Sequence, residues 1–172
     1  LDRLERALRA GPAHALVGPP SLHAAMIQGG TGLSTYAARC RLQVERRTVP
    51  GESADEAVAQ IQRLVDRLAA ADATFSATVR PFFAREPFEV APGAGIVEVL
   101  SRVSIATLGR QPAFVGDTPW MDAALLASAG IETVVMGPLG GGEHSAVEWV
   151  DLDSVVCLAE ILARTAIEYC EI

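Results

Sequence analysis

The sequence predicts an α/β protein composed of two unlike parts. In the first part, stretches of alternating polarity accompany helix-like stretches, whereas in the second part short apolar runs alternate with helices. Between the two, residues 86–93 contain two prolines and a glycine, a composition typical of a domain boundary. We therefore predict a small α+β sandwich over residues 1–86, followed by part of a mixed-sheet α/β domain over residues 87–172.

The first part has the element order of an incomplete sandwich. Its predicted elements are a helix over 1–10, a short mixed run over 21–28 taken as a strand, a strand over 40–49, a helix after Ser53 and a strand over 74–83. Ser53 with Glu56 three residues later forms a capping box, which marks the start of the second helix. This order is that of a ferredoxin-like βαββαβ unit without its opening strand, with both helices on one face.

The second part alternates helices with short strands. Its predicted elements are a helix over 96–108, a strand over 113–116, a helix over 121–129, a strand over 132–136 and a helix over 153–170. Gly109 and Gly130 end the first two helices. Such alternation indicates a parallel or mixed sheet flanked by helices.

Composition excludes several functional classes. The net charge is −7, which disfavours a nucleic-acid or anionic-membrane surface, and no apolar run reaches the length of a membrane span. All fourteen basic residues are arginines scattered along the chain. Three cysteines without a C-x-x-C pair suit reduced thiols, so we expect a cytoplasmic protein.

The glycine-rich stretch 137–144 follows the apolar run 132–136 and ends at His144. Ligands of open α/β sheets bind beyond the carboxyl ends of strands, where a neutral imidazole can bind zinc. Glu148, four residues later, could orient that imidazole or cap a following turn. The alternative is a surface histidine, the interpretation that we give to His14 and His23. A phosphate loop is disfavoured because the chain has no lysine.

Three groups of segments carry a family resemblance. The earliest group is Ile27–Gly30, Ser34–Tyr36 and Glu45–Glu52. The next is Phe114–Ala124, and the last is Gly130–Val134 with Gly137-Pro138 and His144–Val150. In this order they resemble the metal-dependent family of acetylornithine deacetylase, succinyl-diaminopimelate desuccinylase, aminoacylase and carboxypeptidase-G-like peptidases. The early segments resemble its lid, or dimerisation, domain, and the later ones the end of its catalytic domain.

The resemblance implies a role for individual residues. His144 matches the last metal ligand of the family, and Arg47 matches the lid arginine that binds the substrate carboxylate. A solvated arginine on the polar strand face is an equal alternative for Arg47. Ser34 stands where the family often has an asparagine directed at the scissile carbonyl, and Gly137 belongs to the substrate-binding loop. Asp122 either binds or orients a metal or serves the start of a helix, and Glu148 is a supporting residue.

The resemblance also implies what the whole enzyme does. Two metal ions, zinc or alternatively cobalt or manganese, activate a water that hydrolyses an N-acyl amino acid or a dipeptide. We expect the general base and the other ligands to precede Leu1, so residues 1–172 alone are expected to be inert. A homodimer through the lid is expected, without nucleic acid or membrane partners. The alternative is a non-catalytic dimerisation or binding module derived from the same family.

Overall fold

The computed structural model describes residues 1–171, which form five α-helices and two small antiparallel sheets. In chain order the elements are α1 Asp2–Ala10, β1 Ser21–Gly29, β2 Cys40–Arg47, α2 Ala54–Ala71, α3 Gly95–Leu108, α4 Ala123–Ser128, β3 Gly140–Gly141, β4 Trp149–Val150 and α5 Leu152–Cys170. This mixture of helices with small antiparallel sheets confirms the predicted fold class.

Two compact units make up the chain. The first comprises Leu1–Pro87 with Gly116–Trp120, and the second comprises Phe88–Val115 with the residues from Met121 onward. The identification of the two parts as a lid and a piece of a catalytic domain stays a prediction.

The sheet of the first unit is the antiparallel pair β1–β2. Ser21 lies opposite Arg47 and Gly29 opposite Cys40, with a bulge in β1 near Ala24. A side chain at Gly29 would bring its Cβ to 2.9 Å from the backbone oxygen of Arg39, so the strands approach closely there. The helix α1 contacts β1, because the Glu5 carboxylate accepts a hydrogen bond from the Leu22 amide.

The helix α2 begins at the predicted cap. Ser53 has extended backbone angles, and its hydroxyl oxygen accepts a hydrogen bond from the Glu56 amide at 3.1 Å. The predicted apolar side of the helix is buried at Ala57 and half-buried at Ile61 and Leu64. The N-terminus of α2 is therefore specified locally by the sequence.

The core of the second unit lies between α3 and α5. Leu100, Val103 and Ile161 are buried together. Gly109 follows α3 as its C-cap, and its φ of 69° is left-handed.

Among the helices of residues 1–171, none is both long and apolar enough to cross a membrane.

Three predicted strands are wrong. Residues 74–83, 113–116 and 132–136 form no ladder in the structure. In the last of these runs, Val134 and Met136 pack on the helix core while Val135 is half exposed, so the alternation is present without a pairing partner. A strand exists only where a second backbone bonds to it, and sequence alternation predicts the side-chain faces but not that partner.

A hairpin that the sequence did not predict lies in the second unit. Its strand β3 falls within the glycine-rich stretch, and Gly140 pairs with Val150 and Gly141 with Trp149 of β4.

Replacing the α2 cap should destabilise the first unit measurably. We expect Ser53→Ala to lower the free energy of unfolding by about 1 kcal/mol, because the Glu56 amide loses its acceptor. Urea denaturation followed by circular dichroism measures the change. Ser76→Ala, at an exposed position outside helices and strands, is the matched control and should change the free energy little. Equal effects from the two variants would contradict the capping role.

Candidate functional site

Two neighbouring arginines at the end of β2 occupy opposite faces of the first sheet. The Arg46 side chain is 8% exposed, whereas the Arg47 side chain is 52% exposed. Successive side chains of a strand alternate between faces, so burial of the first places the second in solvent.

Arg46 stabilises the turn between β2 and α2. Its Nη2 donates to Glu52 Oε1 at 2.5 Å, and its Nη1 donates to Glu52 Oε2 at 3.3 Å and to the Arg47 carbonyl at 2.5 Å. The same carboxylate accepts from the Val49 amide at 3.1 Å, and the Arg46 Nε donates to Gln60 Oε1 of α2 at 3.4 Å. Because its guanidinium is satisfied within the unit, Arg46 has a structural role.

Arg47 belongs to a row of polar side chains on the solvated face. Its Nε lies 3.3 Å from Glu45 Oε1, and Glu45 Oε2 lies 3.4 Å from His23 Nδ1. His23 is directly opposite Glu45 in the register of the sheet. The contact with Glu45 is an ion pair, and within residues 1–171 the Arg47 side chain donates no hydrogen bond. The outer edge of this guanidinium is therefore free for two-point contact with a carboxylate.

Ser34 lies in the exposed loop that joins β1 to β2. The loop turns at Gly32, whose carbonyl accepts from the Thr35 amide at 3.4 Å. No hydrogen bond within the described residues links Ser34 to Arg47, so the contact of Ser34 with a scissile carbonyl stays a prediction.

His144 lies at the tip of the loop between β3 and β4. Its φ of 61° is left-handed, a conformation that histidine adopts more readily than most non-glycine residues. The Ser145 amide donates to the Gly142 carbonyl at 2.9 Å, and the Ser145 hydroxyl lies 2.7 Å from the carbonyl oxygens of Gly142 and Val147. A Cβ at Gly142 would lie 2.2 Å from the Val147 oxygen, so the close turn requires glycine. Hydrogen bonds of the Ser145 amide and hydroxyl thus close the loop, and His144 is exposed.

The base of this hairpin is bonded to the start of α5. The Leu139 amide donates to Ser154 Oγ at 2.9 Å, and the Asp151 amide donates to the Leu139 carbonyl at 2.8 Å. Asp151 also caps α5 by accepting from the Ser154 amide at 2.7 Å. Gly137 precedes this base and is exposed, with open space where a Cβ would be.

The two predicted carboxylates, Glu148 and Asp122, are exposed. Glu148 ends the His144 loop. Asp122 is the N-cap residue of α4, where its carbonyl accepts from the Leu125 amide at 2.9 Å but its side chain makes no capping hydrogen bond. The predicted capping role of its carboxylate is therefore not seen as a hydrogen bond. Roles for both residues at a metal stay predictions.

The predicted site residues are divided between the units. Ser34 and Arg47 belong to the first, and Asp122, Gly137, His144 and Glu148 belong to the second. Among residues 1–171, no group of three or more histidine, cysteine, aspartate or glutamate side chains is placed to hold a metal ion. Protein zinc sites take three or four protein ligands, so His144 by itself does not fit one.

Sequence reasoning missed the partners of Arg47. Glu45 precedes Arg47 by two residues, which places both on one strand face, and that spacing was available as a signal. The contact with His23 depends on the strand register and on a bulge in β1, which no local pattern specifies.

A carboxylate that sequence reasoning also missed lies in the second unit. Glu132 Oε2 accepts from Tyr169 Oη at 2.8 Å and from the Ile96 amide, at the start of α3, at 3.0 Å. Because the Tyr169 hydroxyl and then the Ile96 amide stabilise the ionised form, the pKa of Glu132 is lowered. The same contact raises the pKa of Tyr169. Glu132 also lines an open cleft of about 240 Å³ with Phe88 and Ile131, and the predicted site residues are not among its lining.

Comparison with known proteins covers both units. Residues 2–73 match the family model of the peptidase dimerisation domain. An acetylornithine deacetylase from Myxococcus xanthus is 25% identical over 158 residues, which cover 88% of this chain and 39% of the relative. The chain therefore spans about two fifths of the length of the curated relative that it matches. These matches confirm the resemblance to the deacetylase and peptidase family that the sequence predicts.

The two arginines should differ in their contribution to stability. We expect Arg46→Met to lower the free energy of unfolding by about 2 kcal/mol, because the Glu52 carboxylate loses its two-point partner. Arg47→Met is the matched control and should change it by less than about 0.5 kcal/mol, since its ion pair is exposed. Urea denaturation of both variants checks the difference, and a larger loss from Arg47→Met would overturn the assignment of faces.

The Glu132 contacts should make stability depend on pH. A carboxyl whose folded pKa is lowered contributes stability that is present above its ordinary pKa and lost as the pH falls through the folded value. Tyr169→Phe removes the main hydrogen-bond donor, so its destabilisation should be present at neutral pH and shrink in acid. Thermal unfolding across the acid range measures this, with the exposed Tyr36→Phe as control. A pH-independent effect would contradict the linkage.

Proposed function

We propose that this chain, a relative of the peptidases whose dimerisation domain matches residues 2–73, is part of a metal-dependent amidohydrolase. The observation that carries the proposal is the alignment with acetylornithine deacetylase over 88% of the chain. An alignment that covers 88% of 172 residues spans the middle of the chain wherever it begins, so it includes the positions of both Arg47 and His144. The match therefore extends from the dimerisation segment into the second unit, beyond what a shared dimerisation domain requires.

The substrate class proposed is an N-acyl amino acid or a dipeptide. Arg47 is the residue proposed to bind its free carboxylate, because the outer edge of its guanidinium is free and planar. Hydrolysis of the amide by water yields a carboxylate and an amine. Binding of the carboxylate is the same before and during that step, so Arg47 contributes to substrate affinity.

His144 is proposed as one imidazole ligand of the metal of the whole protein. The metal proposed is zinc, with cobalt or manganese as alternatives. The fixed backbone of the 142–148 loop supports this role, because it holds an exposed imidazole at a defined position. The other ligands and the general base are proposed to come from outside residues 1–172. Within this chain, Ser34, Asp122 and Gly137 are proposed to contact the substrate, and Glu148 is proposed to support His144.

The assembly proposed is a homodimer formed through the first unit, in the cytoplasm. The matched family is described as a dimerisation domain, which supports self-association. Its partner is a second copy of the protein. A non-catalytic dimerisation module is the competing function, and metal content distinguishes the two.

The proposal is tested on two forms of the protein, the full-length gene product and residues 1–172. We expect the full-length protein to hold about two zinc ions per chain and to hydrolyse N-acetyl amino acids, and the shorter form to do neither. Metal analysis by mass spectrometry and release of free amine measure the two properties. A full-length protein without metal or hydrolysis would support the dimerisation module instead.

Replacing His144 should abolish activity without unfolding the loop. We expect His144→Asn in the full-length protein to lower kcat/KM more than about a hundredfold, because loss of a direct ligand exceeds the usual cost of losing a supporting residue. Asparagine tolerates the left-handed backbone at this position, so the imidazole alone is removed. Glu143→Gln, in the same turn, is the control and should retain activity. An active His144→Asn enzyme would exclude the ligand role.

A further inference from the structure

His23, Glu45 and Arg47 form a row of contacting side chains on the solvated face of the β1–β2 sheet. We propose that Glu45 is a positioning residue for Arg47, holding the guanidinium by its Nε edge so that its outer edge meets the substrate carboxylate. This inference rests on the proposed function, because it assumes that Arg47 binds a carboxylate.

The geometry of the guanidinium supports the proposal. Arginine has five N–H donors in a planar fork, and a carboxylate binds in two-point fashion along one edge of it. Glu45 forms an ion pair with Arg47 in which Oε1 lies 3.3 Å from Nε, and within residues 1–171 the Arg47 side chain donates no hydrogen bond. Glu45 thus occupies the inner side of the group and leaves the Nη1–Nη2 edge to a ligand.

Glu45 is itself held on its other side. Its second oxygen, Oε2, lies 3.4 Å from His23 Nδ1 on the opposite strand. His23 and Glu45 are direct partners in the sheet register, and Glu45 and Arg47 are separated by two residues on one strand. The backbone pairing therefore sets the order of the three side chains, so Arg47 does not depend on a mobile loop for its placement.

Two effects of Glu45 on substrate affinity oppose each other. Its negative charge repels a substrate carboxylate, but both side chains are about half exposed and water with salt weakens that repulsion. Its oxygen restricts the Arg47 side chain before the ligand arrives. Arg47 then loses less conformational freedom on binding, which favours affinity. Removing Glu45 by one substitution mixes the two effects, so a pair of substitutions is needed to separate them.

The separating pair is Glu45→Gln and Glu45→Met. Both remove the charge, but only glutamine keeps an oxygen that can accept from Arg47 Nε. We expect KM for an N-acetyl amino acid to be about twofold higher in the Met variant than in the Gln variant of the full-length protein, which is the scale that one exposed contact supports. The kcat values should be equal, because Arg47 binds ground state and transition state alike.

A substrate without a carboxylate and two arginine variants complete the test. The N-acetyl amino amide should show equal KM in the two Glu45 variants. Arg47→Met should raise KM for the acid and leave that for the amide unchanged. Arg41→Met, which removes an exposed arginine on the same face of β2, is the matched control and should change neither.

The outcomes separate this inference from the proposed function. If Arg47→Met raises KM but the two Glu45 variants agree, Glu45 does not position Arg47 and the carboxylate-binding role stands. If Arg47→Met leaves KM unchanged, the carboxylate-binding role fails, and the positioning inference fails with it. If the full-length protein hydrolyses neither compound, the dissociation constant of N-acetylglycine is measured for the Glu45→Met and Glu45→Gln variants of residues 1–172. Equal dissociation constants for the two variants overturn the inference.

Discussion

The two-point ion pair between Arg46 and Glu52 determines how the end of β2 is presented. It joins the last residues of the strand to the turn that precedes α2, and the same carboxylate also accepts from the Val49 amide. Once Arg46 is buried, the alternation of the strand places Arg47 and Glu45 on the opposite, solvated face. The exposed arginine proposed to bind substrate thus depends on a neighbour whose guanidinium bonds to Glu52, Gln60 and the backbone of the same unit.

Backbone bonds have the corresponding role around His144. Hydrogen bonds among Gly142, Ser145 and Val147 close the loop, and the bonds of Leu139 with Asp151 and Ser154 join the hairpin to α5. Neither set requires a metal. In both units, contacts close to the candidate side chain in the chain or across one hairpin set its position.

Local patterns predicted the helices well and the strands unevenly. The spacing before Gly11, the Ser53 cap and the glycines that follow α3 and α4 each specify a helix boundary within a few residues. Alternation over 40–49 predicted a strand, and that prediction is correct for β2 because β1 supplies its hydrogen-bonding partner. The same signal over 74–83 and 132–136 predicted strands that do not form, since the described residues supply no backbone partner for them.

The sequence by itself determined the helical segments, the family resemblance and the candidate residues Arg47 and His144. All of these depend on the order and spacing of neighbouring residues, which a linear chain already contains. Only the tertiary structure decided which apolar runs pair as strands, which of the two adjacent arginines is buried, and that His23 lies beside Glu45 on the face of the exposed one. Those outcomes require groups distant in the chain to meet, and the energy of a hydrogen bond or ion pair exists only after they have done so.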